Sequence, residues 1–150
     1  MAAQFDHEKL DVYRLAIEYL AASFDHAKSL KDLHRHARDQ WLRAAQSISL
    51  NIAEGNGMRS LKDRARFLDI ARGSALECAA IQDGLIATKA LKIQDDSAMK
   101  SMLPRIVAML TKTAFKFDGV AENRSDYQTD VDYEHEHEHE HEQEQEQEQE

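Results

Sequence analysis

Three cations in the middle of the chain stand at helical spacing. Arg59, Lys62 and Arg66 follow one another at steps of three and four residues, which places their side chains on one face of a helix. Guanidinium and ammonium groups in such a row suit the phosphate groups of a nucleic acid, and the free backbone N–H groups of a helix N-terminus add to the attraction. This row is the first candidate for a phosphate-binding surface.

A second basic row lies earlier in the chain. Lys31, Arg35 and Arg38 share a face of another predicted helix, with His34 beside them, and are the second candidates for phosphate contacts. Both rows have an alternative interpretation, because Lys and Arg also cover ordinary solvent-facing helix surfaces.

Histidine is concentrated near the C-terminus, where it alternates with glutamate. The positions are His135, His137, His139 and His141, within a segment from 134 to 150 that contains nine Glu and no apolar residue. Imidazole is a common metal ligand, but a defined site needs fixed geometry, and a segment of this composition is predicted to be disordered. We therefore expect a solvated tail with no defined metal site and with adventitious metal binding at most. The alternatives for this tail are a polyanion that competes with nucleic acid for the basic residues, and an expression tag.

No constellation of catalytic residues is recognisable. Glu-x-x-His, the pair that di-iron helical bundles require, does not occur before the tail. The Gly-Asn-Gly segment at 55–57 is too short for a phosphate-cradling loop and follows a helix rather than a strand. Ser, His and Asp occur without the spacing of a nucleophile elbow. We predict a protein that is not an enzyme and uses no cofactor.

Charge is distributed unevenly along the 150 residues. The whole chain has a net charge of −9, but residues 1–120 hold 18 Lys and Arg against 15 Asp and Glu, a net charge of +3. The predicted organisation is one domain at 1–120, followed by a linker and a low-complexity Glu/His/Gln tail at 121–150.

The single cysteine bears on the compartment. Cys78 has no partner for an intramolecular disulfide, and its place in an apolar helical pattern predicts a buried, unreactive thiol. The N-terminus lacks the apolar stretch of a signal peptide, and no run approaches the ~18 apolar residues of a membrane span. The expected location is the cytoplasm.

Hydrophobic periodicity predicts four helices. Their approximate bounds are Glu8 to Lys28, Leu30 or Asp32 to Glu54, Leu61 to Leu91, and Ser97 to Asp118. Asp95, Asp96 and Ser97 are expected to form the turn and N-cap of the last helix, and Pro104 predicts either a kink or a short helix that ends before it. Short connections and the absence of strand-like segments indicate an all-α fold, an antiparallel up-and-down four-helix bundle with a disordered acidic C-terminal tail.

The apolar stripes predict which helix faces are buried. In the first helix the stripe is Leu10, Tyr13, Ile17, Leu20 and Phe24, widened by Val12, Leu15 and Tyr19. In the second helix it is Leu33, Ala37, Trp41, Ala44, Ile48 and Ile52. The first and third helices carry more apolar surface than one neighbour needs, which predicts a further contact within the bundle or with another subunit.

The turn between the second and third helices is rich in glycine. Its glycines tolerate positive φ and are expected to end the second helix, while Ser60 and Asp63 provide an N-cap and a first-turn acid for the third. We assign a structural role in this turn, in preference to ligand binding, to Asn51, Glu54, Gly55 and Gly57.

These motifs together resemble a known family. The stretch QSISLNIAEGNG, followed by RSLKDRARFLDIARGSALE, is similar to the signature of the 23S rRNA intervening sequence proteins, also called four helix bundle proteins. The opening Leu10-Asp11-Val12-Tyr13 fits as well, and the resemblance covers Phe5 to Gly119. Where the family usually has Pro after Ser-Ile, this chain has Ser49, so the second helix is expected to be straighter. The tail has no counterpart in the family.

The resemblance implies an antiparallel four-helix bundle that assembles as a barrel-like homopentamer. Related accessory proteins of diversity-generating retroelements bind nucleic acid and a reverse transcriptase through basic surfaces. It therefore implies a non-enzymatic, oligomeric protein that associates with RNA or DNA, with a reverse transcriptase or a similar protein as a further partner. The alternative is a protein-interaction scaffold with no nucleic-acid binding.

Overall fold

Helices dominate the part of the chain that the structure, a computed structural model, describes, which is residues 2–120. The α-helices are α1 (Asp11–Ala27), α2 (Arg35–Gly57), α3 (Leu61–Ala87), α4 (Ile93–Lys100) and α5 (102–120). Short 3-10 turns at Asp6–Lys9 and Asp32–His34 precede α1 and α2. The described range contains no strand.

The helices form an antiparallel bundle, with α4 and α5 together making the fourth member. Short connections join α1 to α2, α2 to α3 and α3 to α4, which forces each of these helices to run back along its predecessor. The prediction of an all-α four-helix bundle is confirmed. The predicted disordered tail and its four histidines lie outside the described residues.

The core is built largely from bulky side chains on α2 and α5, and α3 contributes mostly small residues together with Leu68 and Leu85. Burying a Leu or Ile side chain contributes about 1.5–3 kcal/mol, so the α2 and α5 stripes supply much of the stabilisation. The small residues of α3 let α2 approach closely. The buried core residues of α2, α3 and α5 include Trp41, Ala44, Ala45, Ile48, Ile52, Ala65, Ala71, Ala75, Cys78, Leu103, Ile106 and Leu110.

The buried face of α1 differs from the predicted stripe. Ile17 and Phe24 are each 40% exposed, whereas the face turned to the core consists of Leu15, Ala16, Tyr19, Ser23 and Ala27. The prediction was wrong for Ile17 and Phe24, whereas Leu15 and Tyr19, which were expected to widen the stripe, are buried, and Leu10, Val12, Tyr13 and Leu20 pack against the core. Small residues on the buried face allow α1 to lie close to its neighbours, and Ser23 satisfies its hydroxyl within the helix by donating to the Tyr19 carbonyl at 2.8 Å.

The predicted start of the second helix was also wrong. Leu33 is 94% exposed and lies in the 3-10 turn before α2. Asp32 has a φ of 53°, in the left-handed region, so the chain changes direction there and α2 begins only at Arg35.

Gly55 acts through its lack of a side chain rather than through its φ angle. Neither it nor Gly57 has a positive φ, contrary to expectation, and α2 continues through both to Gly57. A Cβ on Gly55 would lie 2.9 Å from Phe67 Cβ and 3.3 Å from the Arg64 carbonyl oxygen, so glycine is required for close contact with α3. The Ser60 N-cap is confirmed, since its hydroxyl accepts the Asp63 N–H at 3.3 Å.

The fourth member of the bundle is broken at Ser101. The alternative of a short helix ending before Pro104 is confirmed, because α4 ends at Lys100 and α5 follows. Pro104 lies in the first turn of α5, where its missing N–H has no intrahelical partner to lose. The predicted cap was wrong: Asp95 and Asp96 lie within the first turn of α4, and Lys92 occupies the N-cap without a side-chain hydrogen bond.

Candidate functional site

The first basic row lies at the α2–α3 turn and the start of α3. Arg59, Lys62 and Arg66 are all exposed there. Arg66 has Nη2 3.8 Å from Asp63 Oδ1 and its guanidinium 5.2 Å from the Phe67 ring centroid. An exposed pair of this kind contributes little and is screened by salt, so Arg66 stays available to an anion. The prediction that all three lie on one helix face was wrong for Arg59, which precedes the Ser60 N-cap, so only Lys62 and Arg66 are on α3 itself. We call the end of the bundle that carries these three cations the basic corner.

Two neighbouring arginines have structural contacts instead. Arg64 is half-buried, donates from Nε to the Met58 carbonyl at 2.6 Å, and lies 5.9 Å from the Phe117 ring centroid. Arg72 donates from Nε to Thr111 Oγ1 at 2.9 Å. Arg64 thus joins α3 to the preceding turn and to α5, and Arg72 joins α3 to α5. Because of these structural contacts we do not count the two arginines with the exposed row.

The second basic row is only partly free. Lys31 and Arg35 are exposed, but Arg38 donates from Nη1 to the Leu30 carbonyl at 3.2 Å and from Nε to Asp39 Oδ1 at 3.1 Å. The hydrogen bond from Arg38 to Leu30 thereby ties the first turns of α2 to the connection between α1 and α2.

The structure does not bring the two basic rows together. They stand at opposite ends of α2, whose 23 residues span about 35 Å. Phosphates bound by one row would belong to a different part of a nucleic acid from those bound by the other.

The turn residues make contacts within the α2–α3 pair. Asn51 donates from Nδ2 to the Ser47 carbonyl at 2.8 Å and to its hydroxyl at 3.0 Å, and Ser47 Oγ lies 2.8 Å from Ser74 Oγ on α3. Glu54 and Gly57 are exposed. The polar groove beside this contact, about 430 Å³, is lined by His36, Gln40, Arg43, Ala44, Ser47, Ser74 and Glu77.

A buried chain of hydrogen bonds is the main feature that the sequence did not reveal. Trp41 Nε1 donates to the Tyr19 hydroxyl at 3.0 Å, that hydroxyl donates to Gln82 Oε1, and Gln82 Nε2 donates to Asp96 Oδ1 at 3.0 Å. The four residues come from α2, α1, α3 and α4. Gln82, fully buried in the apolar line of α3, was the one available signal, because a buried amide requires partners.

Burial keeps two groups near this chain uncharged. It raises the pKa of the Tyr19 hydroxyl far above its usual value, and it raises the pKa of the Cys78 thiol to about 12. Cys78 is fully buried, which confirms that prediction, and a thiol with this pKa is not a nucleophile at neutral pH. Within residues 2–120 no three His, Cys, Asp or Glu side chains are grouped as metal ligands.

An all-helical bundle with a basic corner and a chain of hydrogen bonds buried in an apolar core is the class of protein that this geometry defines. The model of the family described as 23S rRNA-intervening sequence protein matches residues 8–112, well over half of the chain. The chain belongs to this family, as the sequence motifs predicted, and no enzymatic family is indicated. Among curated proteins, none is significantly similar to it.

A solved structure shares the fold. It is a protein of unknown function from the S23 ribosomal protein family of Bacteroides thetaiotaomicron VPI-5482, determined at 1.70 Å resolution. The TM-score is 0.63 at 22% sequence identity, and the similarity covers 69% of this chain and 97% of that one. In the described range, no helix is both long and apolar enough to cross a membrane.

Proposed function

We propose that this protein is a non-enzymatic, cytoplasmic oligomer that associates with RNA or DNA through Arg59, Lys62 and Arg66. The observation that carries the proposal is the exposure of these three cations close together in the chain, at the α2–α3 turn and in the first turns of α3. The family takes its name from an element of the 23S rRNA, which is consistent with a nucleic-acid partner. Lys31 and Arg35 add a second, separate contact, to which Arg38 contributes less because its guanidinium is already hydrogen-bonded.

The affinity is expected to depend steeply on salt. Each phosphate that a cation neutralises releases bound counterions, and three contacts correspond to a slope of about −2.7 in log K against log salt for duplex DNA. We predict that Arg59→Gln, Lys62→Gln and Arg66→Gln together lower the affinity at least about tenfold near 0.1 M salt and remove most of that slope. Fluorescence anisotropy with labelled structured RNA and duplex DNA measures both quantities on the full chain.

A charge-matched variant controls for the loss of three positive charges. Lys28, Lys89 and Lys92 are exposed in the α1–α2 and α3–α4 connections, which an antiparallel bundle places at the end opposite the α2–α3 turn, and changing all three to Gln leaves the proposed contacts intact. This variant should retain most of the affinity. Equal losses in the two triple variants, or no salt-sensitive binding by the unaltered protein, would show that the corner is not the interface.

Oligomerisation is supported by two apolar surfaces. One is the exposed line of α1 with Ile17 and Phe24, which we call the α1 ridge. The other is a groove of about 370 Å³, the α3–α5 groove, lined by Ala75, Leu76, Ala79, Lys100, Leu103, Pro104, Val107 and Ala108. Exposed apolar surfaces of this kind are typical of protein–protein contacts.

The ridge and the groove face different directions. His26 Nδ1 lies 3.9 Å from Asp95 Oδ2, which identifies the edge of α1 that faces α4. Ile17 precedes His26 by nine residues, which is two and a half turns at about 3.6 residues per turn. Ile17 therefore lies on the edge of α1 opposite the one that faces α4. A ridge and a groove on different faces favour a head-to-tail contact, which forms a ring when the rotation between neighbouring subunits closes. We propose a ring, with the pentamer that the family resemblance implies.

A charge placed in either surface should dissociate the ring. We predict that Leu76→Glu and Phe24→Glu each weaken self-association at least about tenfold, because a carboxylate is costly to bury in an apolar contact. Leu50→Glu, on the exposed side of α2, adds the same charge and should leave the oligomer unchanged. Light scattering at micromolar concentration measures the mass. A monomeric unaltered protein, or an oligomer indifferent to both groove and ridge substitutions, would contradict the proposal.

The second candidate function is a protein-interaction scaffold without nucleic-acid binding. The α3–α5 groove favours it, because an apolar groove between helices suits an amphipathic helix of a partner, such as a reverse transcriptase or a similar protein. An oligomer that binds neither RNA nor DNA would select this function.

A further inference from the structure

The short helix α4 contributes little to the apolar core. Of its eight residues only Met99 is buried, and Ile93 is 69% exposed. A helix this short is not stable by itself in water. Its position therefore depends on the contacts that it makes with the rest of the bundle.

The side-chain hydrogen bonds and ion pairs that hold α4 are three. Gln82 Nε2 donates to Asp96 Oδ1 at 3.0 Å, Lys100 Nζ pairs with Asp83 Oδ1, and His26 faces Asp95 at 3.9 Å. The last two pairs are partly exposed and are screened by water and salt. The contact from the buried Gln82 to a carboxylate is the strong one, because a hydrogen bond to a charged group contributes more than a neutral one.

The chain on both sides of α4 can act as a hinge. On the N-terminal side, Lys89 has a φ of 58° in a five-residue connection between α3 and α4. On the C-terminal side, Ser101 N–H still donates to the Ser97 carbonyl at 3.2 Å, but Pro104 has no N–H to donate to the Lys100 carbonyl, so the backbone hydrogen bonding lapses between α4 and α5. A non-helical connection at one end and a missing backbone hydrogen bond at the other let a helix move as a unit.

We propose that α4 is a latch, which opens as a unit on the otherwise intact bundle and is held closed chiefly by the Gln82–Asp96 hydrogen bond. The bond is the last in the chain that begins at Trp41, so the closed latch completes the polar network of the core. Opening exposes Gln82 and the part of the core against which Met99 packs.

The latch also borders the α3–α5 groove. Lys100, the last residue of α4, lines the groove beside Leu103 and Pro104. Opening of the latch therefore changes one end of the groove, and the state of α4 regulates the contact of a second copy of this chain with the groove. This part of the inference rests on the proposed oligomer, whereas the latch itself does not.

Hydrogen exchange of the full chain, followed by mass spectrometry, tests the latch. The amides of α4 should exchange at least about tenfold faster than those of α2, through an opening that leaves α2 protected. Asp96→Ala should accelerate exchange in α4 about tenfold or more and leave α2 unchanged, since it removes the acceptor of Gln82. Asp95→Ala, one residue earlier and paired only loosely with His26, should change it less than about twofold.

Two outcomes overturn the latch. One is exchange of α4 only at the rate of α2, which would mean that α4 opens with the whole bundle. The other is equal acceleration by the two substitutions, which would mean that the Gln82 contact is not what holds α4. Light scattering of the unaltered protein and of Asp96→Ala reports separately on the groove. If the unaltered protein is a monomer, or if the two have the same mass, the regulatory part of the inference is wrong, and the exchange result for the latch still stands.

Discussion

Trp41→Ala is expected to lower the free energy of unfolding by about 3–5 kcal/mol. Trp41 is the largest fully buried side chain and lies at the centre of the bundle. Its truncation leaves a cavity that surrounding helices cannot fill without moving, and it removes the donor to the Tyr19 hydroxyl. A domain of this size is stable by about 5–15 kcal/mol, so the variant loses a large share of its stability.

Trp41→Phe separates packing from hydrogen bonding. Phe restores most of the apolar volume but carries no N–H, so we expect a smaller loss of about 1–2 kcal/mol. Urea unfolding at fixed protein concentration, followed by far-UV circular dichroism, measures both variants, because Trp41 is the only tryptophan and its fluorescence is lost. If Ala and Phe cost the same, the hydrogen bond rather than the volume would be what Trp41 provides.

Gly55→Ala is the second large effect, with an expected loss of about 1–3 kcal/mol in the free energy of unfolding. The added Cβ would lie 2.9 Å from Phe67 Cβ and 3.3 Å from a backbone oxygen, so α2 and α3 must move apart at this position. This cost exceeds the gain in helix propensity of up to about 1 kcal/mol that Gly-to-Ala brings inside a helix.

Gly73→Ala is the matched control. Gly73 lies within α3, is exposed, and would have no atom within 4 Å of an added Cβ. The same substitution should therefore stabilise the protein by about 0.5–1 kcal/mol. Thermal and urea unfolding of the two variants should shift in opposite directions, and a loss at both positions would show that close helix contact is not the reason for Gly55.

The helices themselves were largely predictable from the sequence. The periods of three and four residues identified all four members of the bundle, and Ser60 with Asp63 located the start of α3 correctly. The buried Cys78 was equally predictable, because a thiol in an apolar helical line has no other suitable place. These features depend on interactions between near neighbours in the chain.

Faces and directions were less predictable. Two overlapping lines run along α1, and the sequence favoured the bulky one with Ile17 and Phe24, which the structure leaves partly exposed. Which line is buried depends on how closely α1 can approach α2 and α3. Ala16 and Ala27 permit that approach, but their value is visible only when the neighbours are in place.

The residues of the basic corner were predictable from the sequence, but their separation from the second basic row was not. Sequence spacing placed Arg59, Lys62 and Arg66 on one face, and the structure keeps all three exposed. It also separates them from Lys31 and Arg35 by the length of α2 and commits Arg38 to the Leu30 carbonyl. The distance between the two basic rows depends on where α2 begins and ends, because the rows lie at its two ends. Those bounds were predicted only approximately.

By itself, the sequence determined the family, the number of helices, the small residues that let α2 and α3 meet, and the candidate cations, because each of these is encoded within a few turns of chain. Only the tertiary structure decided which face of α1 is buried, where the second basic row lies, and that Trp41, Tyr19, Gln82 and Asp96 form one chain of hydrogen bonds. The physical reason is that these four residues come from four different helices. Their polar groups acquire partners only when the bundle has formed and water has been excluded from its centre.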